Sequence, residues 1–280
     1  MSLPKPRTVA DEETLREGVM IFVQQGDVGP RVIMIQGILR AAGHSISIDG
    51  IFGPRTEAAV IQYKSTLTGA SAGGAIDLQT WRAIEASTRW RIINVVDAED
   101  PAQRQRVMSG LTRAGAEVIL MHGMCNAVTQ AIDEVIGRAS ASGAYAMVRF
   151  YSHGGPGGHG IAQGHDGSML DHLSGISAQH FPAMRAQFQR LNDVLAPFGC
   201  IDLMGCSVGA GDAGRVLLHD VADSAGRPAE AGIQTQYSDD VGNMVFNFEG
   251  PVRQVYPGSQ TRGGWGHHVQ AMMTGGHGRH

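Results

Sequence analysis

The sequence predicts an α/β fold: a mostly parallel sheet with helices on both faces, preceded by a small three-helix bundle. Three observations carry that prediction. After Trp90, short apolar runs alternate with amphipathic ones. Before it, three apolar stripes at helical spacing are separated by glycine-containing turns. Two of the later apolar runs break off into glycines, one beside a histidine and the other beside a cysteine.

Taken in order, residues 1–19 read as a flexible lead, and residues 20–88 as the helical unit. In that unit Val32, Ile35, Leu39 and Ala42 form one stripe that stops at Gly43. Thr56, Ala59, Val60 and Tyr63 form a second after the turn Asp49-Gly50-Ile51-Phe52-Gly53-Pro54, and a third short helix follows Asp77 around Thr80-Trp81. A linker near Ser87-Thr88-Arg89 is expected to let this unit fold as a separate piece.

Residues 91–258 read as the second unit. Ile92 to Val96 is a buried strand, and Pro101 to Ala114 a helix capped by Asp100 with proline at its first position. Glu117 to Met121 is the next strand, and Val128, Ala131, Ile132, Val135 and Ile136 mark a helix. Ala144 to Tyr151 is a strand, and Met184, Phe188, Leu191 and Leu195 mark a helix between Pro182 and Pro197. Ile201 to Met204 is a strand, and Leu217, Leu218, Val221 and Ala222 share one face of the helix after it. A hairpin is expected around Asn247 to Val252, and the glycine- and histidine-rich residues 259–280 read as a disordered tail.

Composition excludes several classes. A formal net charge of −4 leaves no electrostatic footprint for nucleic acid, and no apolar run approaches the ~18 residues of a membrane span. The start of the chain lacks the apolar core and small-residue cleavage site of a secretory signal, so synthesis is expected to end in the cytoplasm. Cys125, Cys200 and Cys206 are an odd number without metal-ligand spacing, which argues for free thiols. No cofactor is called for.

The chemistry is concentrated in Met147-Val148-Arg149-Phe150-Tyr151-Ser152-His153-Gly154-Gly155 and Gly199 to Gly211, the latter containing Met204-Gly205-Cys206. If the two strands are neighbours in a parallel sheet, His153 and Cys206 meet at its carboxyl edge, where such sheets place their active sites. A thiolate is a strong nucleophile, and an adjacent imidazole both favours it and shuttles the proton to the leaving group. The flanking glycines allow backbone N–H groups to approach a substrate carbonyl.

Two resemblances add to this reading. Gly26-Asp27-Val28-Gly29, Val32, Ile35-Gln36, Leu39, Gly43, Asp49-Gly50-Ile51-Phe52-Gly53, Thr56, Ala59-Val60, Ile76-Asp77 and Thr80-Trp81 resemble the peptidoglycan-binding module found beside bacterial cell-wall enzymes. That resemblance implies peptidoglycan as a partner. An apolar strand ending in Ser152-His153-Gly154, followed by Ile201-Asp202-Leu203-Met204-Gly205-Cys206, resembles the caspase-like clan of cysteine peptidases, which includes gingipains and separase. It implies a caspase-like sheet, a protein or peptide substrate, His153 as general base, Cys206 as nucleophile, and the N–H groups of Gly154 and Cys206 as oxyanion donors. It also implies that the region of Asp239 and Asp240 contributes to the pocket before the scissile bond, where two carboxylates would favour a cationic side chain; read from the residues alone, the same pair is equally a solvated turn leading into the hairpin.

Alternatives remain at this level. His122 and Cys125 repeat the histidine–glycine theme one strand earlier, and His153, His159, His165, Asp166, Asp171 and His172 could be weighed as zinc ligands, although their spacing fits no metal motif. Three functions follow: a cysteine endopeptidase, an amidase of peptidoglycan stem peptides with the same dyad, and an inactive wall-binding protein. A wall module on a chain without a signal leaves three accounts open: an effector exported by a dedicated secretion machine, which is favoured, a phage-borne protein released by lysis, or a module reused as a protein-contact domain.

Overall fold

The computed structural model describes residues 21–98, 100–121, 126–142, 145–161, 175–236 and 247–275. It begins with β1 (Ile21–Val23) and three helices, α1 (Pro30–Ala41), α2 (Pro54–Lys64) and, after the two-residue β2 (Ile76–Asp77), α3 (Leu78–Ser87). The proline at the start of α1 and α2 lies where a backbone N–H is dispensable. Asp77 caps α3, its Oδ1 accepting from the Thr80 N–H at 2.7 Å. The antiparallel pairing of β1 with β2 was not visible in the apolar pattern, because each strand is too short to show a period.

Gln36, buried inside this unit, explains its central turn. Its amide donates to Asp49 Oδ1 at 2.8 Å and accepts from the Asp49 and Gly50 N–H groups at 3.0 and 2.9 Å. One side chain thereby ties α1 to the loop leading into α2.

The second unit is built on β3 (Arg91–Asp97), α4 (Pro101–Arg113), β4 (Glu117–Met121), α5 (Ala127–Ser142), β5 (Tyr145–Tyr151), α6 (Phe181–Arg190), β9 (Leu195–Met204), α7 (Gly211–Ala225), β10 (Ala229–Gly232) and β11 (Val252–Val255). Between β5 and α6, a small antiparallel sheet is formed by β6 (Gly154–Gly155), β7 (Gly158–Gly160) and β8 (Gly175–Ser177). The main sheet has the order β11-β10-β9-β5-β3-β4, parallel except for the β10–β11 pair. This is the mixed α/β architecture with a mostly parallel sheet that the alternating apolar runs predict.

Two sequence expectations are corrected. The helix read through Leu195 ends at Arg190, and Leu195 instead opens β9. Pro197 is accommodated because the strand bulges there: Tyr145 pairs with Leu195, but Met147 pairs with Cys200. Residues 259–280 are not simply a disordered tail, since α8 (Arg262–Gly275) closes the described chain with Trp265 and Val269 buried. Glycines and histidines diluted that helix's apolar face and hid its spacing.

The period-two alternation of the strands divides the core between the two sheet faces. Ile93, Val95, Val148, Phe150, Ile201 and Leu203 face α5, α6 and α7. Ile92, Val96, Met147, Tyr151, Cys200 and Met204 belong to a second cluster with Val32, Ile35, Phe52, Trp81, Trp265 and Val269. Helix α1 packs directly on β9, and α8 packs on both. The buried side chains therefore do not divide at Ser87-Thr88-Arg89: one core runs through the helical unit and onto the sheet.

That second face also carries polar side chains at one level. Asn94, Arg149, Asp202, Glu230 and Gln254 are successive register partners across β3, β5, β9, β10 and β11. Arg149 Nε lies 3.0 Å from Asp202 Oδ2, with both side chains fully buried. Arg31 of α1 reaches down onto this row. Its Nε meets Glu230 Oε1 at 2.8 Å, its Nη2 meets Asp202 Oδ2 at 2.9 Å, and its Nη1 donates to Asn247 Oδ1 at 2.8 Å.

Candidate active site at the carboxyl edge of β5 and β9

Strands β5 and β9 are parallel neighbours, and their last register pair is Tyr151 with Met204. The Ser152 N–H donates to the Met204 carbonyl at 3.3 Å and carries the pairing one residue further. His153 and Cys206 each lie two residues past that last pair. The adjacency on which the sequence reading depended is present, and the sheet brings the two groups to one edge.

The turn at Cys206 has a distinctive backbone. Ser207, directly after it, has φ of 55°, a left-handed conformation uncommon for a residue with a side chain. The Ser207 N–H donates to the Gln234 carbonyl at 2.8 Å, which anchors this conformation to the segment after β10. Cys206 is partly exposed, and its thiol donates to the Gln236 carbonyl at 3.5 Å. Cys200, on the same strand, is fully buried, and burial raises its pKa well above the ordinary thiol value. The two thiols therefore differ sharply in access to solvent.

His153 is exposed, and its Nε2 lies 2.9 Å from Asp100 Oδ2. Sequence reading assigned Asp100 only to the start of α4. It does serve there, its Oδ1 accepting from the Ala102 N–H at 2.8 Å, and its other oxygen faces the histidine. Nothing local in the sequence signals this second role, because Asp100 follows β3 and meets His153 only through the β3–β5 pairing. His153 and Cys206 make no direct hydrogen bond. Catalytic hydrogen bonds are often long or poorly aligned until substrate binds.

Gly154 opens the small sheet above the edge. The Gly160 N–H donates to the His153 carbonyl at 2.9 Å, so His153 and Gly160 form a hydrogen-bonded pair. The next pair, Gly154 with His159, is then of the non-bonded kind, which turns the Gly154 N–H away from β7. A Cβ on Gly154 would lie 2.4 Å from Val208 Cγ2 and 3.2 Å from the Cys206 carbonyl oxygen, so the strand passes too close to the cysteine loop for any side chain. At the tip, Pro156 and Gly157 fill the turn, Gly157 with φ of 73°. The Gly157 N–H donates to the Val208 carbonyl at 3.0 Å and ties this hairpin to the cysteine loop.

A second polar group lies beneath. Ser152 Oγ donates to Asp97 Oδ2 at 2.6 Å, both buried. His159 is buried beside Gly205, with neither ring nitrogen in a hydrogen bond of good geometry. Burial lowers its pKa to about 4, against the partial support of the Met204 backbone and the Asp97 carboxylate. It is a neutral imidazole at pH 7 and packs under the cysteine turn.

Several sequence candidates lie outside the described residues: Asp239 and Asp240 of the expected specificity pocket, His122 and Cys125, and His165, Asp166, Asp171 and His172 of the zinc alternative. Sequence reasoning also passed over Arg149 and Asp202. Their signal was present, since a charge interrupts each apolar strand four residues before the reactive side chain.

Comparison with known families fits this division. A family model described as a domain of unknown function, DUF4347, matches residues 94–243. The chain belongs to the DUF4347 family. A second family model, for a peptidoglycan binding domain, matches residues 28–84. An N-terminal peptidoglycan-binding domain is therefore present, as the motif from Gly26 to Trp81 led us to expect. No curated protein and no solved structure matches the chain. The DUF4347 match contains His153, Gly154 and Cys206, but it excludes α1, β11 and α8. Among the described residues, no helix is long and apolar enough to cross a membrane.

Proposed function

We propose that this DUF4347 protein is a cysteine endopeptidase of caspase-like type, directed to the bacterial wall by its peptidoglycan-binding domain. The observation that supports the reading is the placement of His153 and Cys206 two residues past the same β5–β9 register pair, with Asp100 holding the histidine.

In this mechanism the Nε2–H of His153 donates to Asp100, which leaves Nδ1 as the acceptor for the thiol proton. The Cys206 thiolate attacks the substrate carbonyl carbon, and the N–H groups of Gly154 and Cys206 receive the developing oxyanion. The imidazolium returns its proton to the leaving amine as the C–N bond breaks. Water, deprotonated by the same imidazole, then cleaves the thioester and regenerates the thiol.

The peptidoglycan-binding domain favours a second reading, in which the same dyad cleaves the peptide stem of the wall polymer. Action at the wall requires delivery outside the cytoplasm. Digestion of purified sacculi separates the two readings: released stem peptides support the amidase, and cleavage confined to protein substrates supports the endopeptidase. Alkylation by iodoacetamide at neutral pH tests the nucleophile itself. Cys206 reacting faster than Cys125 and Cys200 supports an active site, and equal slow labelling of all three supports an inactive fold.

A further inference from the structure

A parallel sheet is stable in water only when both faces are covered. In this chain α5, α6 and α7, which lie within or begin within the DUF4347 match, cover one face. On the other, α4 lies over β3, but the surface of β9 is covered by α1 and α8. Helix α1 comes from the peptidoglycan-binding domain, and α8 lies beyond the DUF4347 match. The contact is close. A Cβ on Gly37 would lie 2.4 Å from the Phe198 ring, and one on Gly266 of α8 would lie 2.1 Å from the Ile48 carbonyl oxygen. Ile48 N–H donates to Gln270 Oε1 at 3.3 Å, so the domain's central turn is held by α8 as well.

Electrostatics make this contact specific. Asp202 and Glu230 are buried neighbours, and Arg149 alone would leave one carboxylate uncompensated. Arg31 supplies the second cation, bridging both acids with a guanidinium whose three nitrogens all have partners. Phe22 of β1 completes the arrangement, its ring 5.4 Å from the Arg31 guanidinium and 5.1 Å from that of Arg149.

We infer that the peptidoglycan-binding domain is not a tethered accessory but the missing layer of the DUF4347 sheet, docked through Arg31 onto the Asp202–Glu230 pair. The inference rests on the packing alone and not on the proposed peptidase. Asp202 and Arg149 lie four residues before Cys206 and His153, so the docked domain supports the two strands that carry them.

Cys200 supplies a reporter, because it lies fully buried on the covered face beside Arg31 and Asp202. In the full-length protein at about pH 8.5, above the raised Glu230 value, iodoacetamide should leave Cys200 protected in wild type and label it at least ~10-fold faster in Arg31→Met, since there the loss of one partner strands a buried charge. The charge-balanced variant Arg31→Met/Glu230→Gln should regain most of that protection, because the new amide can donate to Asp202. A specific protease site inserted between Thr88 and Arg89 gives a second readout: after cutting, both fragments should co-elute. Wild-type rates of Cys200 labelling in Arg31→Met would overturn the inference. So would separation of the cut fragments with both still folded, or failure of Glu230→Gln to restore protection. None of these readouts involves a peptide substrate, so they can fail while the peptidase reading stands, and the reverse.

Discussion

Nε2 of His153 lies 2.9 Å from Asp100 Oδ2 while the other oxygen of the same carboxylate caps α4 through the Ala102 N–H. One residue at the end of the β3 connection thus fixes both the start of a helix and the orientation of the candidate base.

This dual role gives a clean variant. Asn is as good a helix cap as Asp, so Asp100→Asn should unfold at nearly the wild-type temperature. It should nevertheless lose proteolytic kcat by about 10²-fold, because an amide no longer stabilises the imidazolium. Steady-state kinetics beside a thermal melt check the split. Parallel loss of fold and rate would reduce Asp100 to a cap.

The pH dependence of stability contains two opposing contributions. Burial pushes Glu230 up to about 7 from an ordinary value of 4.5, with Arg31 pulling it down and Asp202 pushing it further up. Between those limits the folded state holds more protons than the unfolded one, so this contribution falls as pH rises. Burial lowers His159 from 6.5 to about 4, so its contribution is lost as pH falls through that range. In wild type the two contributions oppose each other where their windows overlap, between about pH 4.5 and 6.5. Glu230→Gln should unmask the His159 limb, with the urea midpoint climbing steadily across this interval. A profile parallel to wild type would contradict the assignment.

The hairpin over the site depends on Gly157. Its φ of 73° and the 2.5 Å approach of an added Cβ to Ala213 leave no room for alanine. Gly157→Ala should cost about 1–3 kcal/mol and free the loop after Cys206, read as faster amide exchange at Gly157 and Gly160. Unchanged exchange would mean that the hairpin does not brace that loop.

Wall targeting is tested on the intact protein. Full-length chain should sediment with purified sacculi, and soluble wall fragments should compete. Recovery no better than that of an unrelated protein of similar charge would remove the wall from the account.

Much of this architecture was legible in the sequence because parallel strands buried on both faces leave nearly continuous apolar runs. Glu117–Met121 has the predicted bounds, and the strand-end glycines mark where His153 and Cys206 leave the sheet, but the β5–β9 adjacency that brings them to one edge comes only from the structure. Other features escaped for physical reasons. Pro197 implied a break, but a bulge absorbs it inside β9. Trp265 and Val269 were masked by surrounding glycine and histidine. Above all, the apolar stripe of α1 announces that a helix is buried without saying against what. Its partner shows only in the structure, as the row of Arg149, Asp202 and Glu230 on which Arg31 docks.

The central claim is that Cys206 and His153 together cleave peptide bonds, and the most direct measurement is cleavage of a peptide library by wild type, Cys206→Ala and His153→Ala at equal folded concentration. The account predicts cleavage by wild type, insensitive to chelator, and none above background by either variant, with all three melting alike. Cleavage retained by Cys206→Ala, or abolished in wild type by chelator alone, would contradict it.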